Sequence, residues 1–172
     1  MWYAIRVTYG RELKFQTMLN EAGFETFIPM RQHKSEEKGK KITKMVPAVA
    51  NLCFVNCEKN DLDEFMNLLG EANPARYIWD RATSHPAIVP DKAMKDFITV
   101  CRVMADEVLY LKEITAKLRE GRKVKILEGP FAGVEGIIVR IKKSRRVVVE
   151  LPGMLAVATT FINPEALELI EA

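Results

Sequence analysis

Cysteines and histidines are few in this 172-residue chain, and their spacing does not favour an enzyme. Cys53, Cys57 and Cys101 lack the CxxC spacing of zinc or redox sites, and only two histidines are present to complement them. The chain contains no GxSxG, HExxH or phosphate-loop motif. We therefore expect no enzymatic activity, no metal and no cofactor, with the cysteines as small apolar residues in a reducing compartment.

Two clusters of basic residues are stronger candidates, because lysine and arginine bind phosphate groups. The first lies in the segment RQHKSEEKGKKITK and includes Lys38, Lys40 and Lys41 at the tip of a predicted mobile hairpin. Contacts to DNA phosphates or a plain solvated loop would both explain it. The second cluster has five basic residues at a predicted turn: Arg140, Lys142, Lys143, Arg145 and Arg146. An RNA-binding surface, an acidic-protein surface and a solvated turn all stay open there.

A glycine-rich turn separates two short apolar runs in the segment KVKILEGPFAGVEGIIVRI, residues 123–141. Gly129, Gly133 and Gly136 permit positive φ or close backbone approach, so the pattern predicts a strand, a turn and a second strand. Phe131 stands between the glycines and is predicted to be an exposed partner contact. The alternative is that Phe131 packs inside a small barrel.

The order of elements predicts an α+β protein of two domains. In the first half, short strands alternate with amphipathic helices, and the strands are too close together for successive parallel crossovers. From residue 122 onward, five short strands predict a small closed barrel: 123–127, 136–141, 147–151, 155–160 and 167–170. We place the domains at 1–105 and 120–172, with a linker over 106–119.

The bulk composition adds weaker constraints. A net charge of +3 is too small to indicate nucleic-acid binding by the protein as a whole. Any such binding must therefore depend on local clusters of basic residues. The chain starts directly with the strand-like WYAIRV and contains no apolar run near twenty residues. We expect a cytoplasmic monomer with no membrane partner.

The two halves together resemble the NusG superfamily. The strand Trp2-Tyr3-Ala4-Ile5-Arg6, with a glycine turn and a helix after it, resembles the start of the NusG N-terminal (NGN) domain. The glycine-rich segment 123–141 resembles the KOW motif, so the resemblance covers essentially the whole chain. Three further segments, NPARYI, HPAIVPD and RRVVVELPG, resemble the UpxY-type antiterminators of Bacteroidetes. The implied fold is an NGN-type α/β sandwich followed by a five-stranded SH3-like KOW barrel.

This resemblance implies a role in transcription. NGN domains lie across the active-site cleft of RNA polymerase and disfavour pausing and termination. We therefore expect an elongation and antitermination factor acting at specific operons of polysaccharide biosynthesis. One alternative is a housekeeping NusG that couples elongation to Rho or the ribosome. Another is a KOW-type RNA-binding module in ribosome assembly or translation.

The resemblance also implies site residues. The family's polymerase contact surrounds a motif like P-L-F-P-G-Y-V-F-V, which corresponds here to PAVANLCFV, residues 47–55. Asn51 replaces the usual glycine and can still adopt a left-handed backbone. The expected polymerase-binding residues, in an apolar patch, are Tyr3, Tyr9, Pro47, Leu52 and Phe54. For Leu52 and Phe54, a place in the core is equally open. Nascent RNA, non-template DNA, Rho or a ribosomal protein are the expected partners of the basic clusters and Phe131.

Overall fold

The computed structural model describes residues 1–111, 121–151 and 153–170, and it divides into two compact units. The first unit contains Met1–Met30 and Met45–Asp91, and the second contains Arg31–Lys44 and the chain from Lys92 onward. Of the predicted linker, 106–119, residues 112–119 lie outside the described part.

Residues up to 90 form short strands and two helices. In chain order they are β1 (Trp2–Val7), α1 (Glu12–Glu21), β2 (Glu25–Phe27), β3 (Met30–Glu37), β4 (Lys40–Pro47), β5 (Leu52–Asn56), α2 (Lys59–Leu69), β6 (Ala75–Tyr77), β7 (Trp79–Asp80), β8 (His85–Pro86) and β9 (Ile88–Val89). The sheet of the first unit has the order β2-β5-β1-β6, with β9 also paired to β1, and the pairs with β1 and β5 are antiparallel.

One face of this sheet packs against the two helices. Tyr3, Ile5 and Val7 alternate along β1 and point to the same side, as the period of a strand requires. The helices contribute apolar residues at helical spacing to the same core: Phe15, Leu19, Leu62 and Met66. Aromatic and β-branched residues in β1 suit this half-buried, pleated position.

The chain continues with α3 (Asp91–Met104), which lies in the second unit from Lys92 onward. This helix follows Pro90 and carries Asp91 in its first turn. Its buried apolar residues recur every three or four positions: Met94, Phe97, Val100, Cys101 and Met104. Asp96 is buried on the same helix. Its Oδ2 accepts a hydrogen bond from Lys92 Nζ at 2.7 Å and another from the Glu135 backbone N–H at 3.1 Å. Lys92 also donates to the Gly133 carbonyl at 2.8 Å.

The chain after α3 is rich in β-structure. Its strands are β10 (Leu109–Leu111), β11 (Lys123–Ile126), β12 (Glu135–Ile141), β13 (Ser144–Leu151), β14 (Leu155–Phe161) and β15 (Leu167–Leu169). They form a sheet with the order β10-β14-β13-β12-β11-β15, antiparallel throughout. The five strands predicted from the sequence are β11 to β15, and β10 adds a sixth at one edge.

Two glycines in this sheet lie at positions where their spacing in the sequence predicts close backbone approach or positive φ. A Cβ at Gly136 would clash with the carbonyl oxygen of Val148, so β12 and β13 approach too closely there for any other residue. Gly133 has φ of +90°, and its N–H donates to the Ile126 carbonyl at 2.7 Å, which closes the turn before β12.

The structure confirms the α+β fold class, with mostly antiparallel sheets and a β-rich C-terminal region. Among the residues described here, no helix combines the length and apolar character needed to cross a bilayer.

Candidate functional site

The predicted apolar patch on β5 is not an exposed surface in this structure. Leu52, Phe54 and Tyr3 are all buried, with Phe54 fully so. β5 is an interior strand between β2 and β1, and its residues are buried on both faces. The register of β1 against β5 also places Tyr3 and Phe54 on opposite faces of the sheet, because Tyr3 pairs with Val55 while Phe54 pairs with Ala4. Tyr3 therefore lies on the helix-covered face and Phe54 on the other, which corrects the expectation of one patch.

An exposed surface does exist beside that strand, at the loop after β1. Tyr9 is 86% exposed and has φ of +59°, a conformation uncommon for a bulky residue. The guanidinium of Arg11 lies 5.6 Å from the Tyr9 ring centroid, within reach of a cation–π contact. An aromatic side chain held out in water on a strained backbone is available to a partner.

The turn before β5 is joined to this loop. Asn51 has φ of +65°, which confirms that asparagine takes the left-handed conformation predicted for it. Its side-chain Oδ1 accepts from the Gly10 N–H at 3.4 Å, and its carbonyl accepts from the Val7 N–H at 2.9 Å. We call residues 8–11 and 47–51 the Tyr9–Asn51 surface. Pro47, at its far end, is half-buried.

The first basic cluster forms a two-stranded ribbon. β3 and β4 pair with each other, and the two residues between them, Lys38 and Gly39, both have positive φ. Positive φ at both central residues is typical of the type I′ turn, which matches the twist of a hairpin. The predicted hairpin therefore has ordered strands up to its turn. Lys38, Lys40 and Lys41 are all exposed at that end.

The second basic cluster divides between two faces of its hairpin. Lys142 and Lys143 form the turn between β12 and β13, and both have positive φ. Arg140 lies directly opposite Arg145, whereas Arg146 pairs with Val139 and so lies on the other face. Arg146 is half-buried, and its Nη1 donates to the Thr159 carbonyl at 3.1 Å. The five residues therefore do not form one surface, because Arg146 is used in packing β13 against β14.

Phe131 is buried, with 5% of its surface exposed, so the expectation of an exposed partner contact is wrong for this structure. Two backbone hydrogen bonds stabilise its turn. The Ala132 N–H donates to the Gly129 carbonyl, and the Val134 N–H donates to the Phe131 carbonyl. The open alternative, packing in the β-rich unit, is what the structure shows. Phe161, by contrast, is 58% exposed.

A cleft of about 540 Å³ opens at the base of the second basic hairpin. Three arginines line it: Arg122, Arg140 and Arg145. Apolar side chains supply the remaining lining: Val124, Ile138, Val139, Pro164, Leu167 and Leu169. Arg122 has no signal in the sequence that connects it to this cleft, because it lies 18 positions before Arg140 and only the pairing of β11 with β12 brings the two together.

The cysteines have the chemistry of buried structural thiols. Burial raises the pKa of Cys53 to about 12, with the negative charge of Glu12 adding to the effect. Burial also raises the pKa of Cys101 to about 12 and that of Cys57 to about 11. A thiol with such a pKa carries almost no thiolate at neutral pH and is a poor nucleophile. In the described residues, no group of three metal-ligating side chains is close enough together to hold an ion.

Comparison with known proteins identifies the family. The family model described as transcription termination factor nusG matches residues 1–98, more than half of the chain. The chain belongs to the NusG family. A KOW motif matches residues 120–150, in agreement with the glycine-rich turn. NusG-family proteins are non-enzymatic transcription factors, and they generally bind RNA polymerase.

Among solved structures, one of Thermotoga maritima NusG, from work on its domain interaction, has 21% sequence identity to this chain and a TM-score of 0.47. The similarity covers 99% of this NusG-family chain and 97% of the other. Comparison with curated protein sequences gave no match.

Proposed function

We propose that this NusG-family protein is a transcription elongation and antitermination factor. In this proposal residues 1–105 form the domain that binds RNA polymerase, residues 106–119 form a linker, and residues 120–172 form a KOW domain. The observation that carries the proposal is the family match over residues 1–98. The exposed Tyr9–Asn51 surface supports it, because it offers an aromatic contact beside the segment that resembles the family's polymerase-binding motif.

The proposed mechanism is differential binding to two states of the polymerase. A factor that prefers the elongating state over the paused state shifts the population towards elongation. A preference of about 1.4 kcal/mol changes the ratio of the two states tenfold. Burial of the exposed Tyr9 ring against an apolar surface that the polymerase offers only in the elongating state would supply a preference of this size, since burial of one large apolar side chain contributes about 1.5–3 kcal/mol.

The basic ribbon of β3 and β4 extends this proposal to DNA. Lys38, Lys40 and Lys41 are exposed at its turn, where flexible ammonium groups suit phosphate contacts that carry no sequence information. We propose that they contact upstream or non-template DNA while the polymerase is bound.

The proposed specialisation is that of the UpxY-type antiterminators at polysaccharide operons. Its support is the set of three local segments, NPARYI, HPAIVPD and RRVVVELPG. A housekeeping NusG would act on any template, so transcription of the protein's own operon leader against an unrelated leader separates the two. Read-through confined to the first leader supports specialisation, and equal read-through on both contradicts it.

The test of polymerase binding uses the full chain and one surface variant. We expect wild-type protein to co-elute with the cognate RNA polymerase and to shorten pauses in a transcription assay. Tyr9→Asn removes the ring while keeping a residue that tolerates positive φ, so the fold should survive. We expect this variant to weaken polymerase binding about tenfold or more.

Leu68→Gln is the matched control, because Leu68 is 82% exposed on α2, away from the Tyr9–Asn51 surface in the sequence. It should bind polymerase like the wild type. Equal binding by Tyr9→Asn and wild type would remove Tyr9 from the docking surface. Absence of any retention by the wild-type protein would contradict the polymerase-binding proposal itself.

A further inference from the structure

Two arginines of the first unit face each other across paired strands. Arg6 lies on β1 and Arg76 on β6, and the antiparallel register places them directly opposite each other. Both side chains are exposed, although the other five residues of β1 are buried. We call these two residues the arginine pair. Since β6 stands at the end of the sheet order, the arginine pair lies at an edge of the sheet.

The positive charge of the arginine pair is not offset in the described part of the chain, where the ion pairs that form involve other residues. Side chains directly opposite each other on antiparallel strands have Cβ atoms about 4.5–5.5 Å apart, and like charges in that position destabilise a sheet. The fold gains no stability from this repulsion. A partner that carries negative charge would offset it, which gives the arrangement a physical reason.

The arginine pair is continuous with the Tyr9–Asn51 surface. Arg6 also lies opposite Leu52, which directly follows that surface in the chain. The Thr8 N–H and the Thr8 hydroxyl both donate to the Pro74 carbonyl, at 3.0 and 3.2 Å, so the loop after β1 is joined to the segment that leads into β6. The arginine pair and the exposed loop therefore meet at the same end of β1, where one partner can contact both.

The geometry of the guanidinium group favours carboxylates as the partner groups. It is a planar fork that binds one carboxylate through two parallel hydrogen bonds. Carboxylates three or four residues apart on a helix have Cβ atoms about 5–6 Å apart, close to the spacing of two opposite strand residues. Tyrosine and arginine are both enriched in protein interfaces, and the exposed Tyr9 ring lies at the same end of β1.

A nucleic-acid strand fits this surface less well. Proteins that bind single strands use a positively charged groove that follows the backbone, with aromatic rings on which successive bases stack. Here the two charges lie on one row of the sheet, next to the buried Leu52. The Arg11 guanidinium also lies over the Tyr9 ring and occupies a face on which a base would stack. The observations therefore favour an acidic protein surface.

We propose that the arginine pair binds two carboxylates of one acidic segment of the polymerase, beside the contact made by Tyr9. This inference rests on the proposed function, because it names the chemistry of the polymerase surface that docks on residues 1–105. It differs from the apolar docking patch that the resemblance implies. On this face of the sheet, Leu52 and Phe54 are buried while the exposed arginine pair is basic.

The first experiment measures binding of the full chain to the cognate RNA polymerase over a range of salt concentrations. The glutamine variant, Arg6→Gln with Arg76→Gln, removes both guanidinium forks. Because charge-assisted bidentate hydrogen bonds are strong, we expect affinity at about 0.1 M salt to fall at least tenfold. Salt screens exposed charges, so wild-type binding should weaken from about 0.05 to 0.3 M salt, and the glutamine variant should show a shallower dependence.

The glutamine variant should fold, because it removes like charges from opposite strand positions. We expect its urea midpoint to equal that of the wild type or to exceed it. A lower midpoint would show that the arginine pair stabilises the sheet, and would contradict the physical reason given for a partner.

The matched control, Lys14→Gln with Arg81→Gln, also removes two exposed positive charges from the first unit. Lys14 lies on α1, which packs against the other face of the sheet, and Arg81 lies in the loop between β7 and β8. This control should bind polymerase like the wild type. An equal loss in the control and in the glutamine variant would show attraction by net charge only, and would overturn the proposal.

The lysine variant, Arg6→Lys with Arg76→Lys, tests recognition by the guanidinium forks. Lysine keeps the charge but has no planar fork for bidentate hydrogen bonds. We expect its affinity for polymerase to lie between that of the wild type and that of the glutamine variant. Wild-type affinity in the lysine variant would overturn carboxylate recognition by the forks.

The class of partner is tested with a short single strand and a short duplex of DNA in the absence of polymerase. The glutamine variant should bind both like the wild type. Loss of DNA binding in this variant, with polymerase binding unchanged, would assign the arginine pair to nucleic acid and overturn the proposal.

The wild-type protein separates failure of this inference from failure of the proposed function. Retention of the wild type by polymerase, with equal retention of the glutamine variant, would overturn the role of the arginine pair and leave the proposed function standing. Absence of wild-type retention would contradict the proposed function, and the arginine pair as a polymerase contact with it.

Discussion

At the scale of single residues, Asp63 shows how one carboxylate joins a helix to a strand. Its Oδ1 accepts from the Tyr77 hydroxyl at 2.6 Å, and its Oδ2 accepts from Lys59 Nζ at 2.6 Å. The hydrogen bond from Lys59, followed by that from Tyr77, lowers the pKa of Asp63. Burial, and then the hydrogen bond to Asp63, raises the pKa of Tyr77. The network thus favours the ionised carboxylate and the protonated phenol.

Replacement of Asp63 by asparagine should lower the free energy of unfolding by about 1 kcal/mol at pH 7, the usual size for one charge-assisted hydrogen bond at a partly exposed site. A carboxyl with a lowered folded pKa stabilises above its unfolded pKa, near 3.9, and loses that contribution as pH falls through the folded value. The difference between wild type and Asp63→Asn should therefore shrink below about pH 4.

Urea unfolding of the wild type and of Asp63→Asn at pH 7 and pH 3 measures the difference in free energy of unfolding at each pH. Glu64→Gln, an exposed carboxylate on the same helix, is the control and should leave stability within about 0.5 kcal/mol of the wild type. A difference that grows as pH falls would contradict the assignment.

At the scale of secondary-structure elements, hydrogen bonds join α3 to the turn before β12. Asp96 is buried, and Lys92, about half-exposed, supplies the positive charge. The Glu135 N–H donates to Asp96 and the Gly133 carbonyl accepts from Lys92, so a helix and a turn about forty residues apart are joined by two side-chain hydrogen bonds. Such a contact holds the glycine-rich turn in place where local sequence alone cannot.

Asp96→Asn should lower the free energy of unfolding by about 2 kcal/mol, since it removes a buried charge and leaves Lys92 and the Glu135 N–H poorly paired. Amide hydrogen exchange at Glu135 should also become faster, because its acceptor is weakened. Urea unfolding and exchange measured on the full chain test the two effects.

Glu128→Gln is the comparison for this prediction, because Glu128 is exposed in the same glycine-rich turn. It should change neither stability nor exchange. Unaltered exchange at Glu135 in Asp96→Asn would mean that the turn is held by its own backbone hydrogen bonds.

At the scale of the whole molecule, the proposed polymerase and DNA contacts concern different units and should separate in experiment. The Tyr9–Asn51 surface and the arginine pair lie in the first unit, and the lysines at the turn of the basic ribbon lie in the second. Mutations at two sites that share no partner residues act independently as a rule. We expect Arg6→Gln with Arg76→Gln to keep DNA affinity within about twofold, and Lys40→Gln with Lys41→Gln to keep polymerase retention. Loss of both activities in either variant would show that the surfaces are coupled.

The sequence by itself determined the features that depend on neighbouring residues. Glycine and asparagine positions fixed the turns, as at Gly133 and Asn51, because few residues tolerate positive φ. Alternating apolar residues located the strands from β11 to β15, and helical spacing located α1 to α3. These local signals, with the resemblance they carry, were enough for the α+β class and the family.

Only the tertiary structure decided which residues are available to a partner. Alternation shows that Leu52 and Phe54 share a face, but whether that face is covered depends on contacts far away in sequence. Strand pairing set Arg140 opposite Arg145 and turned Arg146 away, although the three are near neighbours in the chain. Arg122 joined the cleft for the same reason. Burial and strand register depend on contacts between residues far apart in the chain. A single sequence therefore indicates candidate binding residues, and only the folded structure shows which of them are exposed.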